Sequence, residues 1–149
     1  MQNKKILPPA YFFAAILGIL VLHFLFPVMK IVPSPWNALG IIFLLGGAIL
    51  ELLGARLFRQ AGTTIKPGEE SSTLVTNGVF RISRNPMYLG FVFLLTGVAF
   101  FTGSLSPFLV IPIFVFLIRK VFITTEEAML EKKFGPAWLD YKKRVRRWI

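Results

Sequence analysis

Long apolar runs alternate with short polar punctuation along most of this 149-residue chain. Apolar windows extend over Pro9 to Met29, Trp36 to Phe58, Pro86 to Phe101 and Ser106 to Ile123. Each approaches the roughly 20 residues with which an α-helix crosses bilayer hydrocarbon, so about four transmembrane helices are predicted. The first window is too long for a removable signal peptide, and Phe26-Pro27-Val28 offers no small-residue cleavage site, so it is expected to stay in the mature protein. Gly103-Ser104-Leu105-Ser106-Pro107 reads as a short turn, which predicts an antiparallel hairpin of the last two spans. Pro112 should kink the fourth span. Gly46, Gly47 and Gly54 in the second span, and Ala14 with Gly18 in the first, permit close helix approach.

The polar stretches carry their own signals. Gln60 to Ser83 contains Gly62-Thr63-Thr64, Lys66-Pro67-Gly68-Glu69-Glu70 and Thr76-Asn77-Gly78, turn chemistry that forbids one continuous helix and predicts a loop able to cover a site. Within it, Thr73-Leu74-Val75-Thr76 is expected as a small strand or extended strip. Thr124-Thr125-Glu126-Glu127 has capping-box spacing, so a helix should restart at the membrane surface. After Gly135-Pro136, the residues Trp138, Tyr141 and Val145 recur at helical spacing beside Lys142, Lys143, Arg144, Arg146 and Arg147, the pattern of an interfacial amphipathic helix. The expected fold is an all-α integral membrane protein with about four transmembrane helices, a cytoplasmic loop and this C-terminal amphipathic helix. It forms a single domain over 1–149, with 1–59 as an N-terminal helical hairpin and 60–149 as a cofactor-binding half.

Composition supports the membrane reading, with 55% hydrophobic and only 16% charged residues. The net charge of +10 is concentrated. Lys4 and Lys5 precede the first span, Arg56, Arg59, Lys66, Arg81 and Arg84 lie between the second and third, and a basic tail follows the fourth, whereas the opposite loops hold only Lys30. Both termini are therefore expected on the cytoplasmic side of the inner membrane. The basic residues suit anionic headgroups or an anionic ligand, with membrane lipids as partners and no nucleic acid expected. No cysteine is present, and His23 alone makes no metal site, so no metal is expected.

The compact cluster Arg81-Ile82-Ser83-Arg84-Asn85-Pro86-Met87-Tyr88-Leu89-Gly90 stands at the foot of an apolar run. Two guanidiniums, an amide and a phenol there are costly to desolvate and should face protein, a cofactor or headgroups. Glu51 is an ionisable group within the second span, expected either to pair, for instance with Arg56, or to serve a polar cavity.

Leu74 to Gly90, with Asn77-Gly78, Arg84-Asn85-Pro86-Met87-Tyr88 and Gly90, followed after two spans by Glu126-Glu127, Phe134-Gly135 and Tyr141-Lys142-Lys143-Arg144-Val145, resembles the isoprenylcysteine carboxyl methyltransferase and phospholipid methyltransferase superfamily. The resemblance covers about the C-terminal half. It implies an S-adenosylmethionine site between the loop, the ends of the last two spans and the tail. By that resemblance Arg84 and Asn85 take polar ends of the donor, Tyr88 a wall or hydroxyl contact, Glu126 or Glu127 the amine or ribose hydroxyls, and backbone near Val75 and Gly78 the adenine. Gly90 and Tyr141 complete the cofactor-binding set, and Glu127 and Arg144 are the catalytic candidates. The implied acceptor is lipidic or prenylated, through a carboxylate or an amine. Many relatives carry histidine where Asn85 stands, which points to an amide binding by hydrogen bonds rather than a titrating base.

Two other functions fit parts of the chain. Phe134-Gly135-Pro136-Ala137-Trp138-Leu139-Asp140-Tyr141 also resembles the terminus of membrane sterol reductases, which use a nicotinamide cofactor. A non-enzymatic membrane adaptor would use the basic tail to bind anionic lipid.

Overall fold

Prolines and glycines set the helix limits. The computed structural model describes residues 7–64, 69 and 71–149; Lys4, Lys5, Lys66, Pro67, Gly68 and Glu70 lie outside them. Helix α1 (Pro8–Leu25) opens on two prolines, whose fixed φ and missing N–H suit a first turn, and stops ahead of Pro27 rather than at Met29. A short 3-10 turn at Trp36–Leu39 leads into α2 (Gly40–Gln60). Helix α3 (Pro86–Thr102) opens on proline and ends at Gly103, where a φ of +70° caps it in the left-handed region. A Cβ there would fall 2.5 Å from the Val32 carbonyl oxygen, so the tight turn needs glycine on both counts.

After that turn, α4 (Leu105–Phe108) and α5 (Val110–Ile118) are separated at Leu109. Pro112 has no N–H to offer the Phe108 carbonyl four residues back, which accounts for the break. A π turn at Arg119–Ile123 then carries the rod straight into α6 (Thr124–Phe134). The expected capping box is not used. Thr124 has helical φ and ψ, and its hydroxyl donates to the Lys120 carbonyl one turn back at 3.1 Å. Gly135, at φ +49°, reverses the chain into α7 (Pro136–Arg144). No strand occurs among the described residues, and Leu74 to Thr76 run as irregular chain.

Pro8–Leu25, Trp36–Gln60 and Leu105–Phe134 are long and apolar enough to cross a membrane, while α3, also apolar, is shorter at 17 residues. The protein is an all-helical integral membrane protein. Helices α2 and α3 make the closest pairing: a Cβ on Gly47 would sit 2.7 Å from both the Gly90 carbonyl oxygen and Leu94 Cγ. Small residues at such a seam let backbones touch where lipid offers no hydrophobic drive to association. Gly47→Val is expected to force the pair apart and destabilise the fold by about 1–3 kcal/mol, read as a lowered thermal midpoint in detergent.

Two apolar clusters organise the rest. One joins α1, α3 and α5 through Ile19, Leu95, Phe114 and Ile118. The other packs Trp138, Tyr141 and Val145 against Val75, Val79 and Phe80. The apolar stripe of the tail helix is therefore buried against the loop segment rather than turned outward.

Candidate functional site

The site is built by the chain entering α3 and the tail that folds back onto it. Gly78, at φ +55°, starts a 3-10 turn over Gly78–Arg81 that buries Val79 and Phe80. The Tyr141 hydroxyl donates to the Phe80 carbonyl at 2.7 Å. Burial pushes that phenol up to about 12, with Arg84 pulling the other way, so it remains a donor across the physiological range. Tyr141→Phe would leave the Phe80 carbonyl without its partner and is expected to cost about 1–3 kcal/mol, measurable as a fall in thermal midpoint. Pro86 keeps Asn85 out of the helical region, at φ −129° and ψ 56°. Three successive residues then bind the tail: Ser83 Oγ and Asn85 Nδ2 donate to the Arg147 carbonyl at 3.2 and 3.0 Å, and the Arg84 N–H donates to the Arg146 carbonyl at 3.0 Å.

Above this junction lies a cavity of about 640 Å³, within the roughly 300–1,000 Å³ of sites that hold small molecules. Its walls are mainly apolar, with Phe58, Leu74, Val75, Met87 and Phe91 on them and the start of α1 at the rim. The polar wall is a charge cluster. Glu127, 7% exposed, is gripped by Arg147 through Nε at 3.1 Å and Nη2 at 2.6 Å, and more loosely by Arg84 Nη2 at 3.3 Å. Hydrogen bonding to Glu127 raises the Arg147 pKa. Beside it, the Tyr88 hydroxyl donates to Glu126 Oε1 at 2.8 Å. Arg84 lies over the Trp138 ring, 5.7 Å from its centroid.

Two residues that line the cavity carry three buried donors with no hydrogen-bond partner: Arg84 Nε, Arg84 Nη1 and Trp138 Nε1. Each costs about 1–3 kcal/mol unless something accepts from it. An acceptor-rich anionic group brought by a ligand answers that cost. The donor set therefore fits a zwitterionic nucleoside such as S-adenosylmethionine: cationic N–H groups for a carboxylate, glutamates for an amine or hydroxyls, and apolar walls for a flat ring.

Of the residues expected as cofactor-binding or catalytic, Val75, Arg84, Asn85, Tyr88, Glu126, Glu127 and Tyr141 all line this one cavity. Gly78, Gly90 and Arg144 do not. Gly78 shapes the turn against Leu57, and Gly90 lies in the α2–α3 contact beside Glu51 and Gly47. Arg144 is exposed, its Nε returning to the Asp140 carbonyl at 3.3 Å, because α7 ends there. Val145 is extended, at φ −122° and ψ 131°, which swings Arg147 inward instead. Glu51 makes no ion pair with Arg56 among the described residues; its Oε1 is buried without a partner and it is not on the cavity wall. His23 Nδ1 lies 3.4 Å from Ser104 Oγ at the opposite end of the bundle. Sequence reading missed Trp138, which lines the cavity, and Arg147, which does not line it but holds Glu127. Their composition gave no signal, since Arg147 is one of five basic residues in the tail and Trp138 shares the periodicity of a surface anchor.

Residues 36–137 match the sequence profile of the family described as phospholipid methyltransferase. The protein-S-isoprenylcysteine O-methyltransferase of Saccharomyces cerevisiae is 33% identical over 157 aligned positions, covering 97% of this chain and 63% of its own length. The enzyme of the same name from Schizosaccharomyces pombe is 33% identical over 72 residues, 48% of this chain and 30% of its own. The solved structure of a eukaryotic intramembrane Ras methyltransferase, an isoprenylcysteine carboxyl methyltransferase, superposes with a TM-score of 0.69 at 20% identity, over 95% of this chain and 51% of that one. This chain thus spans less than two thirds of each of these relatives. At that identity the structural likeness speaks for the fold.

Proposed function

The chain belongs to the phospholipid methyltransferase family, and from that premise we propose that it transfers a methyl group from S-adenosylmethionine to a lipidic or prenylated acceptor. The observation that carries the reading is Arg84, a cavity-lining residue with two buried N–H groups that have no partner. When bound, the donor supplies an electrophilic methyl on a sulfonium sulfur. Arg84 holds its carboxylate, the side-chain oxygen of Asn85 accepts from its amine, Glu126 takes the amine or ribose hydroxyls, and the Val75 strip and Tyr141 border the adenine. Tyr88 fixes Glu126 by hydrogen bond, and Glu127 fixes Arg84 through the ion pair.

Methyl transfer is an in-line displacement at carbon, so alignment of the acceptor and exclusion of water supply most of the rate. The apolar residues Met87 and Phe91 serve that exclusion. An ammonium headgroup would have to lose a proton first. The likeness to protein-S-isoprenylcysteine O-methyltransferases favours an acceptor that arrives ionised, a carboxylate such as that of a prenylated cysteine. The basic residues Arg56, Arg59, Arg81 and Arg84 and the tail support an orientation with the site and both termini at the cytoplasmic face of the inner membrane. In this reading 60–149 is the cofactor-binding half, to which the 1–59 hairpin lends Pro8, Pro9 and Phe58 as wall.

Incubating the purified protein with methyl-labelled donor, a total lipid extract and a prenylated cysteine tests the assignment. Base-labile label, characteristic of a methyl ester, is expected. Label in an amine headgroup would move the acceptor to the phospholipids, and no transfer to any acceptor would remove the reading.

A further inference from the structure

Two guanidiniums share one buried carboxylate here, and they share it unequally. Arg147 engages Glu127 with both prongs, at 3.1 and 2.6 Å, whereas Arg84 offers only Nη2, at 3.3 Å. A planar fork on a carboxylate is the strongest ion-pair geometry available to these groups, so Arg147 holds the larger claim on Glu127. Arg84 is consequently left with Nε and Nη1 unpartnered, although its side chain is only 8% exposed. Without Arg147, Arg84 would be the one cation still paired with a buried anion, and its fork would turn onto Glu127 to satisfy it.

The position of Arg147 is fixed by the same segment that carries Arg84. Its carbonyl accepts from Ser83 Oγ and Asn85 Nδ2, and the neighbouring Arg146 carbonyl accepts from the Arg84 N–H. We propose that Arg147 is a positioning residue: by occupying Glu127 it reserves the free edge of Arg84 for the carboxylate of the methyl donor, which makes the extended segment after α7 part of donor selection. This rests on the methyl-donor reading above. It also gives Asn85 a second duty, that of holding the tail which sets Arg84.

The test compares dissociation constants of the full-length protein in nanodiscs for S-adenosylmethionine and for its decarboxylated analogue. Both constants are measured on the same preparation, so their ratio does not depend on the fraction folded. Wild type is expected to prefer the carboxylate-bearing donor. In Arg147→Ala, and less in Arg147→Lys, affinity for that donor should fall about tenfold or more while affinity for the analogue changes less than about twofold. In an Arg84→Ala background, adding Arg147→Ala should produce no further change in the ratio. Equal loss for both ligands, or an unchanged ratio, overturns the positioning role and leaves Arg147 as a structural tie. Failure of wild type to bind either ligand instead removes the methyl-donor reading on which the role depends.

Discussion

Arg84→Ala is expected to reduce affinity for the methyl donor by about a hundredfold while the protein stays folded. Two N–H groups of one guanidinium are lost, and hydrogen bonds to charged groups contribute about 1.5–3 kcal/mol each, where 1.4 kcal/mol is a factor of ten. The fold should survive because Arg147 keeps its two-pronged grip on Glu127 and the backbone N–H of residue 84 keeps its bond to Arg146. Arg84→Lys should fall between the two, since an ammonium keeps the charge and loses the fork. Calorimetric titration reads the affinity and a thermal scan reads the fold. Full affinity in Arg84→Ala would detach the donor from this wall.

Glu127→Ala should act on stability first. It leaves Arg84 and Arg147 side by side with no anion between them, and removing one partner of a buried pair costs about 3–5 kcal/mol. The weight rests on Arg84, at 8% side-chain exposure; Arg147, at 27%, is partly screened by solvent. The tail should loosen with it, so trypsin should cut among Lys142 to Arg147 sooner than in wild type. Glu127→Gln keeps the shape and accepts hydrogen bonds, and its loss should be smaller. An unchanged midpoint in Glu127→Ala would mean that the carboxylate does not organise the two arginines.

Much of this arrangement is legible in one dimension, because the chain's strongest local rules are steric. Pro86 and Gly103 mark helix limits that the structure keeps, and Pro112 marks the break that falls at Leu109. Thr124 misleads for a physical reason: a capping box describes a helix that has stopped, and a π turn lets this one continue. The stripe of Trp138, Tyr141 and Val145 is visible as a helical face, yet its partner, Val75 to Phe80, lies some sixty positions earlier, and periodicity does not say what a face packs on.

The site shows the same division. Arg84 and Tyr88 could be singled out because charge and phenol at the end of an apolar run need an explanation, whereas Glu126 and Glu127 entered through the family resemblance. Neighbouring positions on a helix point about 100° apart, so Glu126 turns to Tyr88 and Glu127 to the arginines, a distinction the string Glu-Glu does not hold. The choice of Arg147 over Arg144 depends on where α7 ends, and no glycine or proline marks that point.

Titrating the purified protein in nanodiscs with S-adenosylmethionine and, separately, with reduced nicotinamide dinucleotide phosphate decides whether this pocket is a methyl-donor site. Saturable binding of the first, absent in Arg84→Ala, and no binding of the second is the predicted result. Binding of the nicotinamide without S-adenosylmethionine, or of neither, would contradict it.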